Sequence, residues 1–458
     1  MGSRVALVAH SGATLTYSEL ALRADELSAK LPGESSRTVG FLPFAPGFDA
    51  VALYLGALRS RRHVPLLLPP GIHTALLDDL IATYQPDWIA ISPDAQCPVG
   101  YSELHHAGDI RLLARAAGTA AVAPREPLAL LLSTSGSTGS QKLVRLSYDA
   151  IDANAESIVQ YLHLTERDRA ISTLELSYSF GMSILNSHLA AGASMVLTHE
   201  TLLSRGFWEL AQTSGITSLS GVPSQFAMLR RAGLERRGIQ SLRMLTQAGG
   251  NLSEPVKQEF KALSDRLGIE FFVMYGQTEA APRISYVPPS KLESKLGSIG
   301  IPIPGGSLDL DAATSELVYR GPNVMLGYAE SRNDLARGDE LHGVLRTGDI
   351  GRRDDDGFFY LTGRLKRFIK VSGARVNLDD VESMLVNAFD AELACVGADD
   401  RLVVVLRENA TVTDSVVREF LRARCDIHPG FIQIERPGAL PYTANGKLDY
   451  QGLTRLVL

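Results

Sequence analysis

Leu128-Ala-Leu-Leu-Leu-Ser-Thr-Ser-Gly-Ser-Thr-Gly-Ser-Gln-Lys142 begins as an unbroken apolar run and ends as a loop of glycines and hydroxyls closed by a lysine. The first half, LALLLS at 128–133, has the length and bounds of a strand buried on both faces. In the second half, glycines allow close backbone approach, hydroxyls add donors and Lys142 adds a point charge. A loop of that chemistry after a buried strand wraps an anion; taken alone, it also reads as a flexible surface loop. It is not a Walker loop, because Gln141 precedes Lys142 and Leu143 follows it, where that motif needs Gly-Lys-Ser/Thr.

Outward from this strand, similar short runs recur: VGFLPF (39–44), HVPLLL (63–68), DWIAIS (87–92), ASMVLT (193–198), SLSGVP (218–223), RMLTQAG (243–249) and EFFVMYG (270–276). Each is bounded by Gly, Pro or Ser, and helix-like segments separate most of them. Residues 15–31 carry leucines at helical spacing, with Ser18 as the expected N-cap. Alternating buried strands and helices predict an α/β fold with mixed, largely parallel sheets. After Leu296 the character changes. GSIGIPIPGG (297–306) is rich in Gly and Pro, and ELVYRG (316–321) and GFFYLTG (357–363) read as antiparallel strands of a β-rich subdomain. The C-terminal stretch reads as a small α+β unit, with helices near 378–389 and 413–424, a strand at 401–408 and a polar tail. No internal repeat is visible.

A chain of 458 residues exceeds what one core holds, since cores stop growing at roughly 250–300 residues, so at least two domains are expected. The net charge of -6, spread along the chain, argues against a nucleic-acid surface. Cys97, Cys395 and Cys425 are far apart and form no C-x-x-C pair, so neither a disulfide framework nor a zinc site is suggested. The adjacent His105 and His106 read as surface residues. No apolar run reaches ~18 residues, so no membrane span is expected. The N-terminus has neither a signal-peptide core nor a myristoylation pattern, which gives a cytoplasmic reading.

Further stretches carry chemistry. Tyr275-Gly276-Gln277-Thr278-Glu279 follows a strand, Arg346-Thr347-Gly348-Asp349 reads as a turn, and Gly363-Arg-Leu-Lys-Arg-Phe-Ile-Lys-Val-Ser-Gly373 is a basic run. Pro441-Tyr-Thr-Ala-Asn-Gly-Lys447-Leu-Asp449 lies near the end. Together with 134–142, with Gly297–Pro302 and in this order, they resemble the adenylate-forming superfamily: acyl-CoA synthetases, adenylation domains of non-ribosomal peptide synthesis, and luciferases. The phosphate loop departs from the family pattern at Gln141, where proline is usual, and at Leu143, where glycine is. Asp380 stands where glutamate is usual. The resemblance spans nearly the whole chain.

The resemblance implies a large N-terminal domain (1–363), a hinge (364–367) centred on Lys366, and a small mobile α+β C-terminal domain (368–458). It also implies roles. Thr134, Ser135, Gly136, Ser137, Thr138, Gly139 and Lys142 would cradle ATP phosphates, with Gly249, Gly250, Tyr275, Gly276 and Gln277 also lining the nucleotide site. Thr278 would contact the α-phosphate, and Glu279 would hold Mg²⁺, since a carboxylate beside a triphosphate needs a cation between them. Asp349 and Arg364 would reach the ribose hydroxyls. Lys447 would bridge the carboxylate and α-phosphate oxygens during adenylation. Lys370 and Gly373 would line a tunnel for the thiol, delivered by CoA or by a separate phosphopantetheinyl carrier protein.

For the acid, Tyr178, Phe180, Gly181, Pro223 and Met274, with Gly249 and Gly250, are pocket candidates; each also reads as core packing. Relatives that activate α-amino acids usually place an Asp where Tyr178 stands. An ammonium without a counter-ion is costly to bury, so a fatty, aryl or other non-amino acid is expected. Glu175, three residues earlier, is the remaining carboxylate. Arg283 is placed to read a second acidic group on the substrate, although a surface arginine is its plainer reading. The rival functions are amino-acid adenylation, transfer to an amine, and a non-catalytic nucleotide-binding module.

Overall fold

In the computed structural model, Leu128–Ser133 is a strand whose first five residues are all buried, which is why its sequence is continuously apolar rather than alternating. The structure describes residues 2–33, 36–116, 122–133, 142–365, 367–371, 374–408, 410–425, 427–442 and 448–458. The strand pairs in parallel with His63–Leu68 on one edge and antiparallel with Leu143–Ser147 on the other. It lies inside an eight-stranded sheet that begins at the short edge strand Gly327–Ala329. A hairpin, Tyr101–Ala107 with Ile110–Arg115, closes the far edge of that sheet. Its outer strand is largely exposed and polar, so no apolar run announced it.

A nine-stranded sheet forms the second layer. Its centre is parallel, running through Ser194–Leu197, Arg169–Ile171, Ser218–Gly221, Met244–Gln247 and Glu270–Gly276. One apolar cluster joins the sheets, taking Leu67 and Leu130 from the first and Leu7 and Met244 from the second. The helices Phe48–Ser60, Tyr148–Tyr161 and Ser179–Ala190 contribute Val51, Ile151 and Phe180 to it. Because neighbouring parallel strands end at one edge, the segments that follow them meet there. That rule brings together residues 173–180, 222–223, 248–250 and 277–279.

The β-rich region is an antiparallel sheet of Ser307–Leu310, Glu316–Arg320, Val344–Arg353 and Phe359–Arg364. Beyond it, Arg401–Leu406 shows alternate burial on two sides. Leu402, Val404 and Leu406 join a cluster with the helices Leu378–Phe389 and Asp414–Cys425. Val403 and Val405 face Leu440 and Leu453. Among the described residues, the apolar clusters of this C-terminal part share no residue with those of the preceding chain.

Two sequence expectations are corrected. The first helix, Tyr17–Ser28, is capped by Thr16, not Ser18: the Thr16 hydroxyl takes the Glu19 amide, and Glu19 takes the Thr16 amide in return. Thr-x-x-Glu is the reciprocal capping arrangement, and it outweighs a lone serine further along. The expected polar tail contains the strand Ile432–Glu435 and the helix Tyr450–Val457, whose Leu453 is fully buried. Among the described residues, no helix is long and apolar enough to cross a membrane.

Candidate functional site

The strand Glu270–Gly276 delivers the segment Gln277–Ala281 to the converging edge of the parallel sheet. Gln277–Ala281 folds into a tight turn, with the Gln277 amide donating to Pro282 O at 2.9 Å and Ala281 at φ +57°. A left-handed alanine costs of order 1 kcal/mol, here spent where two polar side chains are presented. Thr278 is buried, and its Oγ1 lies 3.1 Å from Ser179 Oγ at the start of the helix Ser179–Ala190. Glu279 is half-buried and accepts from the Tyr328 hydroxyl at 2.8 Å.

Tyr328 is the central residue of the edge strand Gly327–Ala329, which pairs with Leu143–Ser147 directly after the phosphate-type loop. Its ring lies 3.7 Å from Lys142 Nζ, which also approaches Glu330 at 4.0 Å. One tyrosine therefore joins Lys142 to Glu279, a link between two motifs far apart in the chain. Burial and the Glu279 charge push its phenol well above the usual range, so it stays protonated and donates. Nothing in NVMLGYAE marks Tyr328 as functional, and sequence reasoning passed over it.

On the other side of the turn, Asp349 is almost fully buried in the bend of the long strand Val344–Arg353. Its Oδ2 accepts from Tyr275 at 2.5 Å and from Gln277 at 3.0 Å, while its Oδ1 faces Arg364 Nε at 2.9 Å. Gln277 also donates to Thr347 O at 2.9 Å. Burial, then the Asp349 charge, hold the Tyr275 phenol far above its ordinary value. A carboxylate has about four acceptor positions, and three are in use. Two further hydroxyls fit only if a donor leaves, and exposed Arg364 is the one free to swing. Leu365 N–H binds Gly348 O at 2.9 Å, tying the chain after Arg364 to this bend. Arg367, three residues on, is instead held in the C-terminal part by Asp379, Glu382 at 3.3 Å and the Tyr450 ring at 3.9 Å.

Of the acyl-pocket candidates, Tyr178 meets Gly249 and Pro223 meets Gly250, while Met274 alone of them lines a nearby cavity. Gly249, at φ +81°, has the Tyr178 hydroxyl 2.7 Å from where a Cβ would stand, and Gly250 faces Pro223 in the same way at 3.1 Å. Gly181 lies so close to Glu175 O that a Cβ would overlap it at 2.1 Å, which fixes the approach of the Leu174–Tyr178 loop. This cavity of about 10 Å³ is lined by Met274, Ser183, His188, Ser220, Thr246 and Arg283. His188 is buried, with Nδ1 at 2.8 Å from Ile184 O and Nε2 at 3.1 Å from Ser218 Oγ. Burial lowers its pKa to about 4, so the ring is neutral, donating from Nδ1 and accepting at Nε2. Glu175 is exposed and does not line this cavity.

Arg283 is the main correction. It is 3% exposed, not a surface residue, and its guanidinium sits 4.2 Å from the centre of the Phe180 ring. An irregularity between Tyr275 and Gly276 sets Arg283 opposite Gly276 and so on the face that Met274 lines.

Thr134, Ser135, Gly136, Ser137, Thr138, Gly139, Lys366, Gly373 and Lys447 lie outside the described residues. The backbone of Lys370 lies in the strand Phe368–Val371, paired with Ala374–Asn377. The described candidates thus gather in two adjoining places, around Asp349 and Tyr275 and around Thr278 and Phe180.

A family profile described as AMP-binding enzyme matches residues 1–329. An indoleacetate–CoA ligase of Aromatoleum aromaticum is 32% identical over 73% of this chain and 68% of its own length. A feruloyl-CoA synthase of an Amycolatopsis species is 26% identical over 98% of this chain and 95% of its own. Among solved structures, o-succinylbenzoate CoA synthetase from Bacillus subtilis, in complex with its acyl-adenylate intermediate, matches with a TM-score of 0.80 at 22% identity. That match covers 98% of this chain and 95% of the other, and it shows a shared fold.

Proposed function

This chain belongs to the AMP-binding enzyme family, and we propose that within it the protein is an AMP-forming acid–thiol ligase. It joins a carboxylate to AMP with release of pyrophosphate, then passes the acyl group to CoA. A phosphopantetheinyl carrier protein is the alternative thiol. The observation that carries this reading is the turn Gln277–Glu279, which holds the buried Asp349 carboxylate through Gln277 on one side and meets Ser179, the residue before Phe180, through Thr278 on the other. The CoA-ligase names of the relatives support it.

The residues fit the ligands that the reading requires. Asp349, with a fourth acceptor position and a movable Arg364, suits a ribose diol. Glu279 suits Mg²⁺, which is usually bound through one or two carboxylates together with substrate phosphates and waters. When bound, that ion neutralises phosphate charge. Thr278 would contact the α-phosphate, close to Ser179 and the acid. Lys142 and residues 134–139 would hold the phosphates, and Lys447 would bridge the two reacting anions. No protein nucleophile is needed, so catalysis is positioning and charge stabilisation. An ammonium group would meet the fixed charge of Arg283 in the cavity, so the acid is not an amino acid.

We assign residues 1–363 to the nucleotide- and acid-binding domain, 364–367 to a hinge and 368–458 to a small domain. Their separate apolar clusters support this division; the polar contacts across it include Glu254 N to Asn387 Oδ1 at 3.5 Å, Arg230 to Asp390 at 3.7 Å and Asn377 Nδ2 to Thr362 O. Lys370 and Gly373 would present the thiol path when the small domain turns.

The test is pyrophosphate release with Mg·ATP and a panel of fatty, aryl, dicarboxylic and amino acids, with and without CoA. AMP, pyrophosphate and an acyl-CoA thioester are expected with a non-amino acid. Pyrophosphate without CoA turnover would move the acceptor to a carrier protein or amine. ADP as product, or ATP binding with no pyrophosphate from any acid, would overturn the reading.

A further inference from the structure

We propose that Arg283 receives a second anionic group on the acid substrate, so that the preferred substrates carry a compact carboxylate distal to the one being activated. The inference rests on the acid-activation reading above and narrows its substrate class.

A guanidinium is always charged and carries five N–H donors. Arg283 is buried, its Nε is without a hydrogen-bond partner, and among the described residues it forms no ion pair. Its surroundings are aromatic: Phe180 lies under the guanidinium, Tyr161 is near enough to share a hydrogen bond with it, and the charge lowers the phenol pKa values of Tyr161 and Tyr178 against the rise caused by burial. A ring face offsets only part of the cost of removing a cation from water. An anion would supply the rest.

The cavity walls restrict where an anion can sit. Ser183 gives its proton to Phe180 O at 2.7 Å, Ser187 to Ile184 O at 3.2 Å and Thr246 to Ser220 Oγ at 2.8 Å. Ser218 donates to neutral His188. These groups therefore offer lone pairs, which an anion does not want. The donors left over are Arg283 and the hydroxyl proton of Ser220, both on the cavity wall. The free space, about 10 Å³, is of the order of one water position, so a carboxylate enters as the lining side chains move apart, which limits it to a compact group.

The position relative to the chemistry is suitable. Ser179 touches Thr278, and the next residue, Phe180, carries Arg283. An acid whose reacting carboxyl lies at Thr278 directs its other end along this face.

The experiment is calorimetry with non-reactive acyl-sulfamoyl adenosines in matched pairs: succinyl against butanoyl, glutaryl against pentanoyl, adipoyl against hexanoyl, and 3-carboxybenzoyl against benzoyl. A buried charge-assisted contact predicts that wild-type protein binds at least one diacid analogue about tenfold or more tighter than its monoacid partner. Arg283→Gln should cut that preference to about twofold, read as the ratio of diacid to monoacid affinity in the variant itself. Equal affinity within every wild-type pair would overturn the proposal without any variant. So would a preference that survives Arg283→Gln. If no analogue of either kind bound while ATP did, the acid-activation reading itself would fail, and that result is distinct from equal binding.

Discussion

Tyr328→Phe removes one oxygen and keeps the ring. In the wild-type protein that oxygen donates to Glu279 at 2.8 Å, and the ring lies 3.7 Å from Lys142. The variant therefore separates the two contacts. A hydrogen bond to a charged acceptor contributes about 1.5–3 kcal/mol when well shielded, and Glu279 is only half-buried, so about 1–2 kcal/mol is expected. This corresponds to a roughly 5- to 30-fold higher Mg²⁺ concentration for half-maximal pyrophosphate release, because the freed carboxylate must be ordered by the ion itself. The melting temperature should barely move, and ATP affinity measured without Mg²⁺ should not change. Tyr328→Ala should add a smaller loss of nucleotide affinity by removing the ring under Lys142, about 0.5–1 kcal/mol. A Mg²⁺ dependence of Tyr328→Phe within twofold of wild type would refute the argument that this hydroxyl positions Glu279 for the proposed ion.

Asp349→Asn should weaken ATP binding tenfold or more by calorimetry, as expected for losing a charged acceptor, with little effect on unfolding; unchanged affinity would count against ribose contact. Lys447→Ala should abolish pyrophosphate release while thioester formation from supplied acyl-AMP continues; equal loss of both steps would sink its assigned role. The buried His188 binds a proton only near pH 4, against ~6.5 when unfolded, so the unfolded state holds more protons between those values and stability falls as pH drops through them. The loss is at most ~3 kcal/mol, and His188→Gln should flatten the fall in urea midpoint between pH 7 and pH 5.

How far the sequence could be read depended on where each contact came from. Leu128–Leu132 were legible because burial on both faces leaves a continuous apolar run. The helix Leu378–Phe389 matches its reading because its periodicity is local. The strand Tyr101–Ala107 escaped because an exposed edge strand needs no apolar pattern. Arg283 was misjudged for a different reason. Its immediate neighbours are uninformative, and the aromatic rings that enclose it come from helices and loops more than a hundred residues earlier. Tyr328 is the same case, since its role lies wholly in two partners distant in the chain.

Leu365 is fastened through its backbone N–H to Gly348 O, and Arg367 to Glu382 and the ring of Tyr450. Only one residue separates these moorings, and it brings two soft dihedrals. A tether of that length spans roughly 7 Å at most. With residues 364–367 as the proposed hinge, the C-terminal part would have no slack with which to drift away, and its movement would be torsion about a short axle. Such a joint would spend little chain entropy between its end positions and would keep the C-terminal part at a nearly constant distance from the Asp349 site.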